Sequence, residues 1–167
     1  MKYVVLGFCA VAAACGGGTP GAPTPVARTI GPVAVHEARN GSDLPFKGTL
    51  EAAETAEGPL HRLSGVGTAT HLGRFTLASE FTVAPPPAST AVGEATWTAA
   101  NGDEIFTTVV GQAVITFPVA SIIETHTITG GTGRFAEASG SFVVERSLHV
   151  QTLISSASFI GTISLGR

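Results

Sequence analysis

The segment from Ile128 to Phe142, ITGGTGRFAEASGSF, decides the fold of this chain. Its three glycines between positions 130 and 133 permit the backbone angles of a sharp exit from a strand. Phe135 then offers a large apolar side chain that can plug the end of a barrel, and Gly140 begins the next strand. The segment therefore predicts a tight connection between two strands, and a turn that needs positive φ explains its glycines without any catalytic role.

The composition of the whole chain is that of a β protein. The chain has 167 residues, which suits one domain with a sizeable core. Hydrophobic residues make up 44% of it and charged residues 13%, and its 21 glycines favour turns and strands over long helices. The net charge is -3 and the basic residues are scattered, so we expect no binding to nucleic acid.

Apolar and threonine-rich runs alternate with turn signals from Leu44 onward, at a spacing typical of a sandwich or a barrel. These runs predict eight strands, at about residues 44–56, 60–71, 73–83, 91–100, 103–117, 119–129, 140–150 and 153–165. Asn101 and Gly102 tolerate positive φ and predict a hairpin, and Pro118 is interpreted as a corner between two strands. Eight antiparallel strands can close around a packed or ligand-sized interior.

The N-terminus predicts export. Lys2 precedes an apolar run, Tyr3–Ala14, that is too short to span a bilayer and ends in small residues, as in a signal peptide over residues 1–14. The alanines before Cys15 and the glycines after it resemble a lipobox, in which the cysteine is acylated after cleavage. Because the usual leucine three residues before the cysteine is missing, ordinary cleavage near Ala14 stays open.

The expected domain organisation follows from this leader. Residues 15–43 would form the lipidated cysteine and a flexible tether, since residues 16–32 are rich in Gly, Pro and Thr without apolar periodicity. The folded domain would span residues 44–167. Both cysteines lie in the leader, so we expect no disulfide, cysteine nucleophile or cysteine-bound metal in the domain. The predicted location is the cell envelope, anchored to a membrane by lipid, with a soluble periplasmic or secreted protein as the alternative.

The letters GGTGRFAEASG at 130–140 resemble the Gly-Gly-Thr-Gly-Arg-Phe-Ala-Gly-Ala-x-Gly segment of plant dirigent proteins and of relatives of allene oxide cyclase. The resemblance implies an all-β fold, an eight-stranded antiparallel β-barrel over about residues 44–165. Those families include enzymes that cyclise or couple reactive intermediates in an apolar lumen. Their catalytic acids do not align with this chain, and Glu137 stands where they often have a small residue. The resemblance therefore carries over the fold and not the activity.

Motifs with a defined chemistry are missing from the sequence. It contains no zinc-protease motif, no nucleophile elbow and no phosphate-binding glycine loop. Its five histidines are far apart along the chain, without the close pairs that are usual in metal sites. We therefore predict no metal and no cofactor.

Side-chain alternation within the predicted strands indicates a candidate site. Glu124 and His126 share the more apolar face of one strand, and Arg146 lies among four large apolar residues on one face of another. The same count aligns Glu104 and Gln112 on one face of a third strand. If these faces line the lumen, the five side chains are a few polar groups in an apolar cavity, which is the usual composition of a small-ligand site.

Two interpretations of these residues stay open. In the first, Glu124 and Arg146 pair inside the lumen, which offsets the desolvation cost of each charge, and Arg146 favours an acidic apolar ligand. In the second, Glu124 and His126 point to solvent, and Arg146 reaches out from the barrel rim.

The hypotheses for function differ in what the lumen holds. The first is an exported lipoprotein whose barrel binds a small apolar ligand, with no catalysis demonstrable from the sequence. The second is a cyclase or isomerase that acts in the lumen, with Glu124 or His126 as acid or base. The third is a purely structural envelope protein. An open apolar cavity would favour binding, and a lumen packed with Phe and Leu side chains would favour the structural protein.

Overall fold

The computed structural model describes residues 43–85 and 88–166. The predicted signal peptide, Cys15 and all of the predicted tether except Asp43 lie outside the described residues. Within the two described ranges, no helix is both long enough and apolar enough to cross a bilayer.

Eight antiparallel strands form one closed barrel, in which each strand pairs with the next and the last returns to the first. Each predicted strand end lies within two residues of the observed end, so the predicted strands and the barrel are confirmed. The strands are β1 (Leu44–Glu57), β2 (Leu60–Ala69), β3 (Gly73–Val83), β4 (Thr90–Ala99), β5 (Glu104–Thr116), β6 (Val119–Gly131), β7 (Ser139–His149) and β8 (Ile154–Ser164).

Three of the four glycines from 130 to 140 have the predicted positive φ, whereas Gly131 does not, and a Cβ there would lie 2.8 Å from Cβ of Phe135. Gly130, Gly133 and Gly140 all have positive φ, with values of 142°, 54° and 132°. Gly133 opens a short 3-10 turn that ends at Phe135, whose side chain is fully buried. The segment thus turns the chain sharply and closes one end of the barrel with an aromatic ring.

Aromatic side chains fill the half of the lumen behind this plug. Trp97 packs edge-on against Phe142 with 5.3 Å between ring centroids, and Phe46 packs against Phe142 at 5.0 Å. Strand glycines make room for the rings, since a Cβ on Gly67 would lie 2.6 Å from Cζ of Phe75. This half of the barrel is a packed core rather than a cavity.

The alternation of burial along β6 and β7 agrees with the predicted parity. In β6 the side chains from Ala120 to Ile128 alternate strictly between lumen and exterior, and in β7 those from Phe142 to Leu148 do the same. In β5 the inward side chains are Ile105, Thr107 and Val109. The face of β5 that carries Glu104 and Gln112 is therefore the outer one.

The inward face of β8 can be tested with two isoleucines of the same strand. Ile163 is 0% exposed and Ile160 is 70% exposed. We expect Ile163→Ala to lower the free energy of unfolding by about 2–5 kcal/mol, because it removes buried methyl groups and leaves a cavity. The matched change Ile160→Ala should cost less than about 1 kcal/mol. Urea unfolding of the two variants measures this, and equal losses would contradict the assigned faces.

Candidate functional site

Charged side chains occupy the half of the lumen away from the Phe135 plug. Glu54 of β1, Glu124 of β6 and Arg146 of β7 all point inward and are buried. We call these three residues, together with His61 and His126, the ion cluster. A small apolar group made of Ala120, Ile122 and Leu148 packs separately from the aromatic core.

Arg146 is the centre of the ion cluster. Its Nη1 donates to Oε2 of Glu54 at 2.6 Å, and its Nη2 donates to Oε1 of Glu124 at 2.8 Å. Removing each of these ions from water costs several kcal/mol, which only close pairing can offset. The guanidinium therefore holds the two carboxylates, and through them strands β1, β6 and β7, in one arrangement.

The charges of the cluster stabilise one another. Burial alone would raise the pKa of Glu124, but the adjacent His126 imidazole and the Arg146 guanidinium outweigh burial, so its pKa lies below the ordinary 4.5. Burial would likewise lower the pKa of Arg146, but Glu124 and Glu54 raise it above its usual value. Both groups therefore stay ionised at neutral pH.

His126 is enclosed by the aromatic core. Its ring stacks on Phe142 with 4.9 Å between centroids and an interplanar angle of 14°, and the edge of Trp97 contacts it at 5.3 Å. Its Nδ1 lies 3.0 Å from Oγ1 of Thr107, and its Nε2 lies 4.0 Å from Oε2 of Glu124. One ring face and one nitrogen of His126 are thus in contact with neighbours.

His61 lies at the open end of the cluster. Its Nδ1 is 2.6 Å from Oε1 of Glu54, and its ring centroid is 5.5 Å from that of Phe81. Its side chain is 20% exposed, whereas that of His126 is 4% exposed. His61 is therefore the member of the cluster that solvent reaches most easily.

One donor of the cluster has no protein acceptor. Among the described residues, Arg146 Nε and His149 Nδ1 are the buried side-chain nitrogens that form no hydrogen bond. A buried donor without an acceptor is costly, and more so on a charged group. Within the ion cluster, Arg146 Nε is the buried nitrogen that bears this cost.

The structure brings three of the five predicted site residues together and separates two. Glu124, His126 and Arg146 meet in the lumen, so the interpretation that they face solvent or the rim is wrong. Gln112 is exposed on the outer face of the barrel, and half-buried Glu104 accepts a hydrogen bond from Thr98 on that same face, so neither lines the lumen.

The prediction for Glu104 and Gln112 was wrong because β5 is apolar on both faces. Ile105 and Val109 point inward, but Val110 and Val114 point outward and are 60% and 66% exposed. Alternation gives the parity of a strand only when one face is visibly more polar than the other. In β5 that contrast is weak.

Sequence reasoning missed Glu54 and His61. Glu54 shares its face of β1 with Phe46 and Leu50, which are both buried, so strand parity could have placed it in the lumen. The parity of β1 was hard to recognise in the sequence because glutamates also stand at positions 51 and 57, on the outer face. The pairing of Glu54 with Arg146 spans 92 residues of sequence, which no local pattern reveals.

Concave regions outside the lumen are poorer candidates. A groove of about 670 Å³ runs over the outer surface of β1 to β4, and its lining includes Thr49, Thr68 and Thr76. It contains no buried charge. No group of metal-ligating side chains occurs among the residues that the structure describes.

Comparison with known proteins supports the fold. No protein-family model matches the chain, and no curated protein matches it. Two solved structures of pterocarpan synthase dirigent proteins are similar at a TM-score of 0.59 and 11% identity. GePTS1 aligns over 86% of this chain and 100% of its own, and PsPTS1 over 77% and 99%. The chain therefore has the eight-stranded barrel fold of dirigent proteins, as the resemblance implied.

The burial of Arg146 can be tested against Arg62, which also bridges two carboxylates but on the surface. Arg62 lies 3.3 Å from Glu57 and 2.9 Å from Glu80, with its side chain 48% exposed. We expect Arg146→Met to lower the free energy of unfolding by about 3–5 kcal/mol, because it leaves two carboxylates buried without their partner.

Arg62→Met should cause a much smaller loss in the same unfolding experiment. The combined variant Glu54→Gln, Glu124→Gln, Arg146→Met should regain most of the stability that Arg146→Met loses, since no unpaired charge remains. Equal losses for the two arginine variants would contradict the structure of the cluster.

Proposed function

We propose that this protein is an exported, lipid-anchored protein of the cell envelope whose barrel binds a small molecule at the ion cluster. The ligand is a neutral, largely apolar molecule that carries an oxygen able to accept a hydrogen bond. The observation that carries the proposal is the buried Arg146, whose Nε has no protein acceptor although both Nη atoms are paired.

The charge balance of the cluster argues for a neutral ligand. Two carboxylates face one guanidinium, which leaves one net negative charge when the imidazoles are neutral. Both Nη atoms of Arg146 already donate to these carboxylates, so an acidic ligand would find a repulsive site. This replaces the earlier expectation of an acidic apolar ligand.

The surroundings of the cluster suit an apolar body. Small and branched apolar side chains surround the end of the lumen that holds the ion cluster. These side chains are half-buried or exposed, and they belong to Ala56, Val83, Ala91, Ala113 and Val150. Phe81 is buried beside both His61 and Arg146. Apolar walls with a few converging polar groups are the usual composition of a small-molecule site.

Two phenyl compounds of similar shape test this proposal. We expect acetophenone to bind the mature protein at least tenfold more tightly than ethylbenzene. Its carbonyl oxygen can accept a hydrogen bond from the charged Arg146, and such a bond contributes about 1.5–3 kcal/mol. Benzoate should bind more weakly than acetophenone. Saturation-transfer NMR of each ligand in competition gives the dissociation constants.

The combined variant Glu54→Gln, Glu124→Gln, Arg146→Met should lose the preference for the ketone, while Arg62→Met should keep it. A protein that binds none of the three compounds would overturn the proposal and favour the structural envelope protein. Binding that the combined variant leaves unchanged would place the site elsewhere on the barrel.

The envelope location rests on the sequence around Cys15. We expect the full chain, expressed in a bacterium, to yield a mature N-terminal peptide that begins at Cys15 and carries acyl chains, because the residues around Cys15 resemble a lipobox. Mass spectrometry of that peptide measures this. A peptide that begins at the same position with a free thiol, or an uncleaved leader, would contradict the lipid anchor.

A further inference from the structure

We propose that His61, positioned by Glu54, is the proton-transferring residue of this barrel, and that it acts on a carbon next to the carbonyl group of a ligand held by Arg146. The inference rests on the proposed ligand site and adds a catalytic residue and a reaction class to it.

One carboxylate links the two groups that such a reaction needs. Glu54 accepts from Arg146 through Oε2 and contacts Nδ1 of His61 through Oε1, each at 2.6 Å. Because a carboxylate only accepts hydrogen bonds, Nδ1 of His61 carries the proton and donates it. The lone pair of the neutral imidazole is then on Nε2, which makes Nε2 the basic atom.

His61 Nε2 is free to meet a ligand. None of the described residues forms a hydrogen bond with it, and it is not among the buried nitrogens that lack a partner. The ring of His61 and the guanidinium carbon of Arg146 lie 5.5 Å and 5.9 Å from the centre of the Phe81 ring. The ligand would therefore bind beside Phe81, a ring that both residues border.

The other pair of acidic and imidazole groups does not offer this access. His126 is stacked on Phe142, bonded to Thr107 and 3% exposed, and Glu124 is held by Arg146. Both groups are therefore less accessible than His61, whose side chain is 20% exposed. The geometry thus favours His61 over the acid or base that sequence reasoning named.

The proposed step needs no co-reactant. His61 Nε2 takes a proton from the carbon next to the carbonyl, and the electron pair of the broken C–H bond moves to form a C=C bond. The carbonyl π electrons move to the oxygen, which accepts a hydrogen bond from Arg146 Nε. Glu54 stabilises the imidazolium that forms, and return of the proton to carbon regenerates His61. The step isomerises a ligand or exchanges its protons.

Acetophenone serves as the probe, since its methyl protons lie next to a carbonyl. In D₂O the mature protein should accelerate replacement of these protons by deuterium, seen as loss of the methyl signal in proton NMR. His61→Gln should slow the protein-dependent exchange by roughly 10²-fold or more, as expected for loss of a general base. His71→Asn, at an exposed turn between β2 and β3, is the matched histidine control and should leave the rate unchanged.

Two further measurements separate catalysis from structural support. Imidazole added to the solution should restore exchange in His61→Ala, because solvent reaches the His61 side chain, which is 20% exposed. Glu54→Gln should lower the rate at saturating acetophenone about tenfold or more and leave its dissociation constant within about threefold. A merely structural Glu54 would change binding and rate together.

The outcomes distinguish this inference from the proposed function. If acetophenone does not bind, the proposed ligand site fails and the inference fails with it. If it binds at the cluster but exchanges no faster than in buffer, the ligand site stands and the inference is overturned. Exchange that persists in His61→Gln, or that imidazole fails to restore in His61→Ala, also overturns the role of His61.

Discussion

Closure of eight strands into a barrel turns every second side chain toward an enclosed lumen. Each inward residue must then either pack against apolar neighbours or find a polar partner across the barrel. The chain does both, with aromatic rings at the end that Phe135 plugs and with paired ions beyond them. The position of every buried charge follows from this constraint.

Arg146 shows why the ions are arranged as they are. A lone guanidinium in the lumen would be too costly, and a single carboxylate would leave most of its five N–H donors unpaired. Glu54 and Glu124 reach it from different strands, so the three side chains form one unit that crosses the barrel. In other proteins, replacing a buried ion pair by apolar residues of similar volume often leaves stability unchanged or raises it. Fold stability alone therefore does not explain why these three residues are charged.

The sequence predicted the elements of the fold well and its interior only in part. Strand ends were predictable because turn residues such as Asn101, Gly102 and Pro118 mark them. The inward faces of β6 and β7 were predictable because one face of each is clearly more apolar. The partners of Arg146 were not, because they depend on which strands meet across the barrel, and Glu54 lies in a strand with glutamates on both faces.

The hydroxyl of Thr107 joins the two halves of the lumen. It accepts a hydrogen bond from Trp97 Nε1 at 3.3 Å and lies 3.0 Å from Nδ1 of His126, whose Nε2 lies 4.0 Å from Glu124. Polar contacts therefore continue from the indole through the ion cluster to His61 at the mouth. Groups linked in this way polarise one another in a medium of low dielectric constant. The polar groups of the barrel interior thus form one connected series. A change of charge at His61 therefore alters the electric field at Trp97, the only tryptophan of the chain.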